Sequence, residues 1–180
     1  MTFVEKISER IAISIHRSTP NASSVAVLRY SLINLINLWI FMAIVLLISA
    51  FTGHFTGALL SIIAFPLTRY FSGGMHFKSM NVCNIVSSVL VLISIYLPIH
   101  FWYTGFVINT LALLILVITA PANVTRSKLE KKHYPILKVI VALIVSSNYL
   151  FNSEILALVF FIQALTTIPV WQKLLDKYQI

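Results

Sequence analysis

The chain has 180 residues, of which 59% are hydrophobic and only 10% charged, with a mean hydropathy of +0.93. Soluble domains carry roughly 25% charged residues, so these charges cannot coat a water-exposed surface and lipid must solvate most side chains. The net charge of +8 would point to nucleic acid in a soluble protein, but the basic residues stand between apolar runs, where membrane topology and acidic lipid or peptide partners account for them and nucleic acid does not.

In chain order, residues 1–29 lack the short apolar core and small-residue cleavage site of a signal peptide, and they are expected to stay on the mature protein. Phe3, Val4, Ile7, Ile11 and Ile15 recur at three- and four-residue steps opposite Glu5, Lys6, Glu9 and Arg10. That spacing predicts an amphipathic helix lying at the cytoplasmic interface or packed on a partner subunit, ended by Thr19-Pro20-Asn21. Three blocks nearly free of charge follow, at 30–68, 79–125 and 139–172, the last broken only by Glu154. Each holds roughly 34 to 47 residues against the ~20 that one membrane-spanning helix needs, so each fits two helices and a tight turn. Thr52-Gly53-His54, Pro98-Ile99-His100 and Asn152-Ser153-Glu154 supply the turns.

Six spans are therefore predicted, at about 31–51, 54–71, 82–98, 104–120, 135–151 and 154–171, in one all-α polytopic membrane domain. Its parts are a cytoplasmic or interfacial segment 1–29, the spans within 30–172 and a cytoplasmic tail 173–180. With six spans, all thirteen Lys and Arg fall on one side. The positive-inside rule then places both termini in the cytoplasm.

Chemistry-bearing residues gather where the second predicted span meets the third, in Arg69-Tyr70-Phe71-Ser72-Gly73-Gly74-Met75-His76 and then Cys83, the single cysteine of the chain. A lone cysteine excludes an internal disulfide and a multi-cysteine zinc site, and no histidines share a metal-ligand spacing with an acid; no metal or cofactor is expected. Peptide cleavage by sulfur needs a thiolate, and an imidazole can take the thiol proton and return it to the leaving amine. His76 suits that role, and Cys83 near a helix N-terminus gains from the helix dipole. On a straight helix the seven-residue interval would separate the two by ~10.5 Å along the axis, so His76 must approach along a non-helical segment bent at Gly73-Gly74. The N–H groups of that bend are expected to lie open to an oxyanion.

Each feature also has a bland reading. A lone cysteine in an apolar helix is commonly buried packing, a histidine near an interface is commonly solvated, and a Gly-Gly pair is commonly a plain turn. Asn81 and Asn84 are candidates to orient the histidine, and no acid lies close by. From the residues alone catalysis and packing both stay open. So do a peptide transporter, which would use polar residues or broken helices within the spans (Asn34, Asn37, Asn109, Pro66 and Pro169 are present), and a non-enzymatic membrane scaffold.

The run Arg69-x-x-Ser72-Gly73-Gly74-x-His76 followed by Cys83 resembles the signature of the accessory gene regulator protein B family. Ala120-Pro121 with a basic loop ending at Lys138 is similar to that family's second marked region, although Ala122-Asn123 stand where members often carry Val-Asp. The resemblance covers nearly the whole chain. It implies a membrane cysteine endopeptidase of Gram-positive quorum sensing that removes the acidic C-terminal tail of a small propeptide. The remainder is held as a thioester, which an internal cysteine or serine of the peptide displaces to form a thiolactone or lactone. By motif position Cys83 would be the nucleophile, His76 the general base, and Arg69, Ser72, Gly73 and Gly74 supporting residues. Arg69 would bind a substrate carboxylate, fix the loop or anchor at the interface. Arg126, Lys128, Lys131 and Lys132 would draw the acidic tail or simply signal topology and contact lipid. The family analogy also implies a homodimer.

Overall fold

The computed structural model describes residues 3–19, 21–75, 77, 79–122 and 130–178. They form helices α1 (Phe3–Ser18), α2 (Val25–Phe51), α3 (Phe55–Ser72), α4 (Met80–Tyr96), α5 (Phe106–Thr119), α6 (Tyr134–Ser146), α7 (Asn148–Phe151), α8 (Glu154–Thr166) and α9 (Pro169–Tyr178). A π-helical turn at Phe101–Gly105 leads into α5 and a 3-10 turn at Lys131–His133 precedes α6. The described residues contain no strand. They fall into two compact units, Met1–Ile44 and Val45–Ile180.

The first unit holds α1, with Ser8 and Ala12 buried, and the first part of α2, where Asn37 turns its amide back onto the Ile33 carbonyl at 2.8 Å. α2 starts six residues earlier than the charge pattern predicts, because Arg29 and Tyr30 do not break a helix and Ser23-Ser24 precede it.

In the second unit the helix faces are patterned for lipid. α3 buries Gly57, Ala58, Ser61, Ala64 and Thr68, mostly small residues at helical spacing, and exposes Leu59, Leu60, Ile63 and Leu67. Small residues inside let backbones approach closely while long aliphatic side chains meet acyl chains. α8 is the hub. It buries Leu156 to Phe160 in an unbroken run and packs against α3, α4 and α5, while α6 packs against α3 and α5. Buried amides tie these helices together. Asn148 donates to Asn109 Oδ1 at 3.1 Å and to the Ser153 carbonyl at 3.0 Å, and Asn109 donates to the Val145 carbonyl at 3.3 Å. Asn109, one of the polar residues that a transporter could use, is tied into this network between helices.

α2, α3, the Phe101–Thr119 helix and the Tyr134–Phe151 helix are long and apolar enough to cross a membrane. α8 and α9, bent by 55°, make a fifth if the pair is one span. The bend falls at Thr167-Ile168-Pro169, where proline supplies no N–H to continue the helix. α4 is apolar but has only 17 residues, about 25 Å of helix against a hydrocarbon core of ~30 Å. The described residues are thus those of an all-helical, membrane-embedded protein, with four to five candidate spans among them.

Helices of the second unit alternate in direction, so two distinct ends form. At one, the Thr52 hydroxyl is hydrogen-bonded to the Tyr96 hydroxyl, the His54 and Tyr96 rings pack edge-on at 4.9 Å, and His100 lies 3.8 Å from Glu154. Three turns singled out in the sequence meet there. The opposite end carries Arg69, the two glycines and Cys83.

Candidate functional site

α3 ends at Ser72 because the chain then takes conformations that glycine alone adopts readily: Gly73 has φ 69° and Gly74 φ 145°. The Gly73 N–H closes the helix on the Arg69 carbonyl at 2.9 Å. Met75, Phe77 and Ser79 lie outside any helix, and α4 begins at Met80.

Three residues from two segments pin this turn. Ala122, just past α5, pairs with Gly73 in a parallel bridge; its N–H donates to the Ser72 carbonyl at 2.8 Å and its carbonyl accepts from Gly74 at 3.3 Å. On α8, the Thr166 carbonyl accepts the Met75 N–H at 2.8 Å. One turn earlier on that helix, Gln163 Nε2 donates to Ser72 Oγ at 2.9 Å and to the Gly73 carbonyl at 2.7 Å. The expectation that the glycine N–H groups lie open to an oxyanion is therefore corrected. The N–H groups of Gly73, Gly74 and Met75 are all spent on carbonyls of the protein itself.

The donor nearest the sulfur is a side chain. Arg69, in the last turn of α3, sends Nη2 to the Met75 carbonyl at 2.5 Å, and the same nitrogen stands 4.0 Å from Cys83 Sγ. The hydrogen bond from Arg69 ties the last turn of α3 to the segment that follows the two glycines. Cys83 is half-buried and free, in the first turn of α4, with its N–H on the Ser79 carbonyl at 3.1 Å. Beside the turn, Met75, Leu90, Ile162, Leu165, Thr166 and Trp171 line an apolar cavity of about 240 Å³.

His76, expected to partner the sulfur, lies outside the described residues, as do Arg126 and Lys128 and the side chain of Lys131. Lys132 is exposed and forms an ion pair with Glu130 at 2.5 Å, and Lys138 reaches the Ile118 carbonyl at 3.3 Å. Gln163 and Thr166 were not singled out in the sequence, and Ala122 only as a departure from the family's second marked region. Gln163 alone carried a signal, since it is the one strongly polar side chain among the apolar residues 155–165.

A half-buried thiol and a guanidinium, set at one end of a membrane helix bundle beside a pinned glycine turn, define a membrane-embedded protein with a candidate sulfur site. The model of the accessory gene regulator B family (AgrB) matches residues 5–174, nearly the whole chain, and the chain belongs to that family. Membership is consistent with a role in the accessory gene regulator quorum-sensing system, in which the family is known for processing the propeptide. Comparison with curated proteins and with solved structures gives no match.

Proposed function

We propose that this protein is a membrane cysteine endopeptidase that cleaves the acidic C-terminal tail from a small propeptide and closes the remainder into a thiolactone or lactone. The observation that carries this reading is the approach of Arg69 Nη2 to within 4.0 Å of Cys83 Sγ, in a chain of this family. The guanidinium gives the single thiol of the chain a polar neighbour at the end of an otherwise apolar bundle, where a sulfur nucleophile would need one.

In the proposed reaction His76 takes the Cys83 proton and the sulfur attacks the scissile carbonyl carbon. The C–N bond breaks, the proton passes from His76 to the departing amine, and a thioester remains on Cys83. A thiol or hydroxyl within the peptide then gives up its proton to His76 and attacks the thioester carbonyl. Cys83 leaves as thiolate and is reprotonated, so peptide-bond cleavage and ring closure consume no water. An apolar surrounding limits hydrolysis of the thioester in favour of the tethered acceptor.

The same reading includes six spans, counting α4 and the bent α8–α9 pair. Both termini and the Cys83 end face the cytoplasm, by the one-sided Lys and Arg. It places α1 in the cytoplasmic interface of the cell membrane, with support from the exposure of Phe3, Ile11 and Ile15 along one side. The basic loop containing Arg126, Lys128, Lys131 and Lys132 attracts the acidic tail, and two chains form a homodimer. Co-expression with the propeptide, read by gel, tests the central part. Cys83→Ala and His76→Ala should each abolish cleavage while membrane insertion persists. Normal cleavage by Cys83→Ala would overturn the reading in favour of a transporter or scaffold.

A further inference from the structure

Gln163 is fully buried in α8, and its side chain reaches a turn ninety residues away in sequence. Most buried side-chain polar groups in proteins have at least one hydrogen-bond partner. Both bonds that Gln163 makes with its side-chain nitrogen go to the residues that terminate α3: Ser72 through its hydroxyl and Gly73 through its carbonyl. The orientation of the amide is fixed chemically, because the Gly73 carbonyl can only accept and so must face the NH2 group. Among the described residues Gln163 Oε1 is buried without a partner, a cost that the two donated bonds must outweigh.

The connection to the sulfur runs through Arg69. A Cβ built on Gly74 would stand 3.3 Å from Gln163 Nε2, 3.3 Å from Arg69 Nη1 and 2.9 Å from Thr166 Oγ1. The amide and the guanidinium therefore close over the same point of the turn. Arg69 in turn holds the Met75 carbonyl and faces Cys83. Thr166, one helical turn beyond Gln163, directs its hydroxyl to the Gln163 carbonyl at 2.7 Å while its own carbonyl holds Met75. α8 thus grips the turn at Ser72, Gly73 and Met75, on both sides of Gly74.

We propose that Gln163 is a positioning residue for the sulfur chemistry: from α8 it sets the Ser72-Gly73-Gly74 turn and thereby keeps the Arg69 guanidinium against Cys83. This rests on Cys83 being the reactive group. The test uses iodoacetamide on the full chain in lipid vesicles, because Cys83 is the sole thiol and its alkylation needs no propeptide. Gln163→Met, which keeps length and removes the amide, should slow alkylation about fivefold or more. In an Arg69→Gln background the same substitution should have no further effect, since the two residues act in one line. Ser72→Ala, which removes one of the two acceptors, should give a smaller loss in the same direction, and it decides the matter if Gln163→Met does not accumulate. Alkylation at the wild-type rate in the folded variants would overturn the inference, as would an equal slowing by Gln163→Met with and without Arg69. Neither result bears on whether Cys83→Ala abolishes cleavage, so the two readings fail separately.

Discussion

Replacing Gly73 by alanine is the perturbation whose size the geometry states most directly. The residue sits at φ 69° and ψ −146°, a region that is essentially glycine-only and costs another residue roughly 1–3 kcal/mol. The added Cβ would stand 2.0 Å from the Ala122 carbonyl oxygen, and ordinary contact begins near 3.4 Å. Turn and Ala122 must therefore separate by about 1.4 Å, and the obstacle is backbone that cannot rotate away. That movement breaks the Ala122-to-Ser72 bond of 2.8 Å and the Gly74-to-Ala122 bond of 3.3 Å, each worth about 1 kcal/mol net. The local cost is roughly 3–5 kcal/mol, and it falls on the segment that carries the Met75 carbonyl to Arg69. A misplacement of about 1 Å at a reacting group costs on the order of a hundredfold in rate. Gly53→Ala supplies the comparison, since Gly53 also has a positive φ of 77° but nothing within 4 Å of its added carbon. Propeptide cleavage, normalised to inserted protein, should fall about a hundredfold for Gly73→Ala and stay within about twofold of wild type for Gly53→Ala. Wild-type cleavage by Gly73→Ala, or equal losses from both substitutions, would refute the reasoning.

Arg69→Gln should slow iodoacetamide alkylation of Cys83 and abolish cleavage, and Arg69→Lys should recover alkylation more than cleavage, because a lysine keeps charge but not the guanidinium geometry that holds the Met75 carbonyl. Asn148→Leu strands Asn109 Oδ1 and the Ser153 N–H. It should lower the melting temperature in detergent by the equivalent of about 1–2 kcal/mol with cleavage at low temperature retained. The exposed His100–Glu154 pair at the opposite end should contribute at most about 1 kcal/mol, and Glu154→Gln should leave both melting and cleavage near wild type.

The helices were legible because their signals are local. Thr52-Gly53-His54 and Asn152-Ser153 interrupt apolar runs, and α2 ends at Phe51, α7 at Phe151 and Asn152 takes φ 52°. Gly73-Gly74 was readable as a bend for the same reason. Helix starts were less so: α2 begins at Val25 rather than near 31, since a charged Arg29 costs nothing at the edge of the membrane and carries no stop signal. The wiring of the turn was not legible. Which carbonyls capture the Gly74 and Met75 N–H groups depends on Ala122 and Thr166 arriving from segments about 50 and 90 residues away, and nothing local in Gly73-Gly74 encodes those arrivals. Arg69 could be read as a substrate-carboxylate binder, a loop clamp or an interfacial anchor, and only packing brought its guanidinium to the sulfur. Gln163 was readable in principle, as an amide stranded in a hydrocarbon stretch, although its partners were not.

The most direct measurement is intact-mass spectrometry of the wild-type protein, acid-quenched during turnover of its propeptide. The account predicts an adduct equal to the peptide without its tail, carried on Cys83, removed by neutral hydroxylamine and missing from Cys83→Ala. Full cleavage and ring closure with Cys83 never acylated would contradict it.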